Sequence, residues 1–450
     1  MKTSILFLFL FILIGCSDTF LDKKPNKAIV IPSTLTDLES ILNYTNVMNT
    51  STSLGIVGAA DWFTTDAAWN AFTFAPEKFG YIWAEDTYQG VTNTNDWTIP
   101  WQQVYYSNVV LDAIANIPMT SSNEVQWKAV KGRALFHRAY TFYHLAQVYA
   151  KPYSLDNLDL PGLTIRTTSD VNILPQRSTI RDTYARVTTA LEEAATLLPA
   201  TSTVKTIPNA AAAQALLATV YLSMNEYTKA ESFATQSLVT AATLIDYNTL
   251  STTAARPIAR FNNEVLFHAT NTAYGFQSST LTYIDTTLYA SYAINDLRRA
   301  VCYRATTTPN RYTFIGTYSG ASTLFSGVST NETYITRAEC RARLGNVSGA
   351  LEDLNALLAK RYRTGTYINV TETNQQRLLE IILQERRKEL PMRASRWTDL
   401  RRLNLEPAFR VTLTRKVQGQ VYTLLPNSDR YVFAFPQQEI LYNPIEQNPR

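Results

Sequence analysis

Two distant stretches of the chain can be laid over one another without a gap: Ala218–Leu238 (ATVYLSMNEYTKAESFATQSL) and Ala338–Leu358 (AECRARLGNVSGALEDLNALL). Each carries a three-residue turn between two helical patterns, Met224-Asn225-Glu226 in one and Leu344-Gly345-Asn346 in the other. Ala230 and Ala350 fall at matching places after the turn, where a small side chain lets neighbouring helices close up. A helical hairpin that cannot bury its apolar face alone must stack on further hairpins, so the repeat commits the chain to a stacked helical body.

Such units resemble tetratricopeptide-like hairpins, and helical periodicity elsewhere suggests at least three or four of them. Apolar spacing predicts helices over 36–44, 97–117, 123–149, 179–198, 208–224, 332–343, 347–361 and 374–390. Insertions separate the units, so a regular solenoid is not expected. The fold class is therefore mostly α, a helical scaffold over about 97–245 and 331–403 with long irregular regions and a few short strands. Those strands are expected around 265–269, 421–425 and 432–435.

Two stretches break the helical pattern. Between 55 and 96 the chain is dense in Trp, Phe and Tyr but weakly periodic, and 249–330 mixes tyrosines with Thr, Ser and Gly. Long segments without clear periodicity read as functional loops rather than core elements. The whole chain holds 26 Tyr and 7 Trp, residues that combine a flat apolar face with a polar edge. Residues 404–450 form a last irregular part.

The front of the chain reads as a leader. A lone Lys2 precedes an apolar run from Ser4 to Ile14, shorter than the roughly 20 residues that cross a bilayer. The order Leu13-Ile14-Gly15-Cys16 then reads as a bacterial lipobox. On that reading residues 1–15 are a signal peptide and Cys16 is the lipidated first residue. Its several acyl chains meet the two-signal requirement for stable anchoring. Residues 16–35 form a tether, and 36–450 the folded body.

Four separated pieces together resemble the SusD/RagB family of outer-membrane lipoproteins. They are Cys16-Ser17-Asp18-Thr19-Phe20-Leu21-Asp22 with Pro25; the turn Arg343-Leu344-Gly345-Asn346 with Ala350-Leu351; Glu385-Arg386-Arg387-Lys388-Glu389-Leu390 followed by Arg396-Trp397-Thr398-Asp399-Leu400-Arg401-Arg402; and the tail Phe435-Pro436-Gln437-Gln438-Glu439-Ile440. The resemblance implies a surface-exposed lipoprotein of the outer membrane that binds a nutrient, a glycan or similar oligomer, and passes it to a SusC-like TonB-dependent transporter. It implies no catalysis and no cofactor.

The residues support the binding half of that expectation. Sugars offer apolar ring faces to aromatic side chains and hydroxyls to polar ones, and a rigid scaffold carrying aromatic loops suits them. Candidate ligand-binding residues are Trp69, Trp83 and Tyr88 from the first aromatic region and Tyr274, Tyr292 and Tyr318 from the second. Trp101 and Trp127 lie on helical stripes and are assigned to the core. Two other classes stay open: an adaptor that binds peptide or protein in an apolar groove, and a surface glycoside hydrolase built on two carboxylates.

Composition excludes other chemistries. With 41 basic and 37 acidic residues there is no phosphate-tracking charge excess. His137 and His144 are seven apart on one helix without a third ligand nearby and, like His268, read as structural. No nucleophile elbow, P-loop or dinucleotide fingerprint occurs. Cys340 is expected to be a buried small hydrophobe, whereas Cys302 is left unassigned. Glu385 and Glu389, one helical turn apart among arginines, are expected to form an ionic network that docks the last helical hairpin.

Overall fold

A computed structural model describes residues 32–278 and 282–450. The leader, the lipobox, Cys16 and most of the tether lie outside the described residues.

The repeat is realised as two superposable hairpins. Helices Ala210–Ser223 and Tyr227–Thr240 form one, and Thr330–Arg343 and Val347–Ala359 the other. Their turns share one chemistry. Asn225 (φ 62°) and Gly345 (φ 82°) both adopt the left-handed conformation. In each the left-handed residue and its successor donate back to the preceding helix, Asn225 to Leu222 and Glu226 to Tyr221, Gly345 to Ala342 and Asn346 to Arg341. This double bond satisfies carbonyls that the helix end leaves open, and only Gly or Asn enters it at low cost. Ala230 and Ala350 are fully buried.

Further helices extend the stack. Asn95–Ile114 packs on Glu124–Tyr149, that helix on Ile180–Leu197, and that in turn on Ala210–Ser223. Tyr227–Thr240 then packs directly on Thr330–Arg343, which also packs on Gln375–Glu389. The stack is thus continuous in space although nearly ninety residues leave and return between the two repeats. Side chains of Thr179, Asn209 and Asn374 cap helix starts by accepting backbone N–H bonds.

The inserted region folds back on the first aromatic region. Thr50–Ser51 pairs in parallel with Thr270–Asn271, and Trp62–Thr64 pairs antiparallel with Thr282–Ile284. The expected strand near 265 is Val265–Phe267, paired with Val328–Ser329. Near the C-terminus Gln420–Leu424 forms a hairpin with Leu413–Val417 through the left-handed pair Gln418-Gly419. The strand expected at 432–435 is absent: this stretch is held by single bonds such as Phe433 N–H to the carbonyl of Val148, not by a ladder.

The region 55–96 departs most from expectation. It holds short helices Leu54–Gly58, Asp66–Ala71 and Ala75–Tyr81, and it is core. Trp62, Tyr81 and Trp83 are at most 2% exposed and surround the guanidinium of Arg415, which lies 3.9 Å from the Tyr81 ring and 4.6 Å from that of Trp83. Arg415 donates to the carbonyls of Val57, Tyr81 and Ala59. Gly55 and Gly58 lie flat against Trp397, and a Cβ on Gly58 would come within 2.8 Å of that ring.

Arginines also join the last helices to the rest. Glu389 accepts from Arg361 (2.8 and 2.9 Å) and Arg298 (3.1 Å), Glu385 accepts from Arg298 (2.7 Å), and Arg361 reaches Glu264 (2.7 Å) in the insertion. Arg402 bridges Glu339 and Asp399, and Arg386 bonds Asp399. The expected network is present and buried, and it ties the insertion to the helical stack. In the turn after Glu389, Met392 is left-handed (φ 57°) and its N–H donates to Asp61.

Candidate functional site

The six aromatics singled out from the sequence are all enclosed. Trp83, Tyr292, Tyr318, Tyr88, Tyr274 and Trp69 are between 1% and 8% exposed, so none offers a free ring face. Each has its polar atom occupied instead, as buried Tyr and Trp require. The Trp83 indole donates to the Gly58 carbonyl and the Trp69 indole to that of Lys78, both at 2.9 Å. Tyr88 donates to the Ala434 carbonyl and Tyr292 to that of Lys388. Tyr274 donates to Asp96, and Tyr318 to Glu264. Tyr88, Tyr274 and Tyr292 thereby tie the aromatic regions to the C-terminal part and the helices, whereas Trp69, Trp83 and Tyr318 brace those regions internally.

What the two regions do bring together is a platform of other rings. Strand pairing sets Phe63 opposite Tyr283, with ring centroids 5.6 Å apart. The hairpin Tyr303–Ala305 with Tyr312–Phe314 lies beside them, and helix Thr286–Ala290 carries Tyr289 onto Tyr312. Tyr289 and Tyr312 stack at 3.5 Å and 14°. Phe63, Tyr289, Tyr312 and Phe314 are all half-buried rather than enclosed.

Two arginines flank these rings. Arg299 lies 4.9 Å from the Tyr289 centroid, and Arg311 lies 4.7 Å from that of Phe63 and 5.8 Å from that of Tyr283. The strand Thr282–Ile284 packs beside Tyr312–Phe314, so the backbones that carry the two ring groups are neighbours. The geometry is held from below. Asp285 caps the helix of Tyr289 by accepting from Leu288 N–H (2.8 Å), and Arg387 holds that carboxylate at 3.1 Å. Stacked rings pre-set at low entropy, with guanidinium donors beside them, can take the apolar face and hydroxyls of a sugar at once.

The platform residues lie in the two predicted regions but were not themselves selected. Ring density alone does not separate Tyr292 from Tyr289, three residues apart, and only the capped helix start at Asp285 decides which turns inward. The arginine at 311, just before an aromatic strand, was the available signal.

The histidines are structural in geometry. Burial, and then the charge of Arg133, depress the His137 imidazole to about 3, and burial depresses His144 to about 4. His144 packs 4.3 Å from the Tyr140 ring and His268 edge-on to Phe261 and Phe325. Both Cys302 and Cys340 are buried free thiols, raised by desolvation, Cys302 to about 12. No helix among the described residues is long and apolar enough to cross a membrane.

Two family models match nearly end to end. One, described as starch-binding and associating with outer membrane, covers residues 19–222, and the other, the SusD family, covers residues 234–449. A SusD superfamily protein from Bacteroides thetaiotaomicron shares the fold with TM-score 0.75 and 23% identity over 93% of this chain and 100% of that one. The surface glycan-binding protein A of Bacteroides fluxus does so with TM-score 0.70 and 16% identity, again over 93% and 100%. At such identities these likenesses speak for the fold alone. A SusD-like protein of Formosa agariphila is 28% identical over 133 residues, a match spanning 29% of this chain and 25% of that relative. Stacked hairpins, buried arginine network and both family matches agree: the chain belongs to the SusD/RagB family.

Proposed function

We propose that this protein is a non-catalytic nutrient-binding lipoprotein that captures an oligosaccharide at the outer surface of the outer membrane and passes it to a SusC-like TonB-dependent transporter. The observation that carries the binding half is the strand pairing of the two aromatic regions, which leaves half-buried rings with arginines beside them: Phe63 with Arg311, and Tyr289 and Tyr312 with Arg299. The family description, starch-binding and associating with outer membrane, supports both the ligand class and the location.

Cys16 is the proposed lipid anchor, and residues 16–35 the tether that lets the body sit over the transporter. Ring stacking on Tyr289 and Tyr312 supplies affinity, at roughly 1 kcal/mol or more per ring beyond area burial, and the arginines orient the chain of hydroxyls. The test is calorimetric titration of the purified protein with starch, xylan, mannan and laminarin oligosaccharides. Saturable binding of one class without cleavage supports the reading. Turnover of the bound glycan, or tight binding of peptides with no glycan bound, overturns it.

A further inference from the structure

A cleft of about 390 Å³ opens on a different part of the molecule and shares no residue with the platform. Helix Asn95–Ile114 forms its floor with Trp101, Gln102 and Tyr105. Arg166 and Asp170 stand on one wall, and Glu439 and Tyr442 on the other. Its size lies within the ~300–1,000 Å³ range of small-molecule sites.

Three observations single it out. Its rings are open: Tyr105 is 44% and Tyr442 71% exposed, whereas the aromatics chosen from the sequence are all enclosed. Trp101 on its floor is only half-buried, so part of that side chain faces the cleft. The walls are also pre-set. The Asn108 amide donates to the carbonyls of Arg166 and Thr168 (both 3.1 Å), and Asp112 accepts from Ser169 N–H and Oγ–H (both 2.7 Å). On the far side Gln438 N–H donates to the Thr92 carbonyl (3.1 Å).

Charge narrows the ligand. The lining has one cation, Arg166, against the carboxylates of Asp170 and Glu439, and no lysine, which disfavours anionic ligands. Open tyrosine rings and carboxylate acceptors match a neutral polyol with apolar ring faces. We propose that this cleft is a second carbohydrate subsite, taking one or two neutral pyranose units between Tyr105 and Tyr442 over the floor that Trp101 forms. The proposal rests on the carbohydrate reading above and adds a separate place of contact.

The test labels tryptophan with fluorine and assigns Trp101 by comparison with Trp101→Phe. Maltose, cellobiose, xylobiose, mannobiose and laminaribiose are then titrated to about 10 mM, a range that detects millimolar sites. The expected result is a saturable shift of the Trp101 resonance with at least one disaccharide. That shift should survive in Tyr312→Ala and weaken at least about tenfold in Tyr442→Ala, with Tyr105→Ala as a second variant. An unmoved Trp101 resonance, while oligosaccharide binding dependent on Tyr312 persists, overturns the second subsite and leaves the platform standing. Absence of any carbohydrate binding overturns both.

Discussion

Glu389→Gln removes one charge from the centre of the buried network while nearly keeping the side-chain shape. Glu389 accepts five hydrogen bonds beyond the helix: three from Arg361, one from Arg298 and one from Asn331 (2.9 Å). Breaking a buried pair by changing one partner costs about 3–5 kcal/mol. The low end applies because both guanidinium groups keep other carboxylates, Arg361 that of Glu264 and Arg298 those of Asp296 and Glu385. At about 2.1 cal/mol/K per residue the unfolding entropy of this chain is about 0.9 kcal/mol/K, so a loss of about 3 kcal/mol lowers Tm by about 3 °C. Thermal unfolding followed by circular dichroism reads this out, with Glu380→Gln on the exposed face of the same helix as control. Hydrogen exchange should also quicken in the insertion, at 241–329. A Glu389→Gln protein that melts with the wild type and shows no faster exchange there would refute the idea that these ion pairs hold the insertion on the stack.

Other expectations follow from single contacts. Gly58→Ala forces a methyl to 2.8 Å from Trp397 and should cost about 1–3 kcal/mol by overpacking, measured as a lower urea midpoint; an unchanged midpoint contradicts the packing. Gly345→Ala meets open space, so its cost of roughly 1 kcal/mol comes from the left-handed backbone alone, and Gly345→Asn should recover part of it. Burial raises the Asp96 carboxyl to about 6 despite donors from Thr272 and Ser53. Because its folded pKa exceeds the unfolded value, this stabilisation is complete below about 4 and is lost as pH rises through about 6. Wild type should therefore gain on the order of 3 kcal/mol over Asp96→Asn between pH 7 and pH 4, and a flat difference rules this out. In a Cys16→Ser protein the buried, raised thiols of Cys302 and Cys340 predict no reaction with a disulfide reagent in the native state and two equivalents after unfolding.

The helical scaffold was legible because its signals are local. A 3.6-residue period, a turn with Asn or Gly at one fixed place and a following alanine suffice to locate Asn225, Gly345, Ala230 and Ala350. The arginine block was legible for a similar reason, since Glu385 and Glu389 among arginines have few physical solutions. The pairing of Trp62–Thr64 with Thr282–Ile284 was not, because three-residue strands joined across more than two hundred positions leave no local periodicity. Trp83 misled because its burial is decided elsewhere, by Arg415 over its ring and the Gly58 carbonyl at its indole. Trp101 misled in the opposite sense. Its ring sits on a helical stripe against Trp97 and Phe142, as expected of core, yet the same side chain lines an open cleft.

The claim that the two aromatic regions meet to hold a glycan is tested most directly by calorimetric titration of wild type, Phe63→Ala and Tyr312→Ala, one variant from each region, with the oligosaccharide class that the wild type binds. Removal of an outer, half-buried ring should leave the melting temperature within about 2 °C of wild type while weakening binding at least about tenfold. Full affinity in both variants, with the fold intact, would contradict the account.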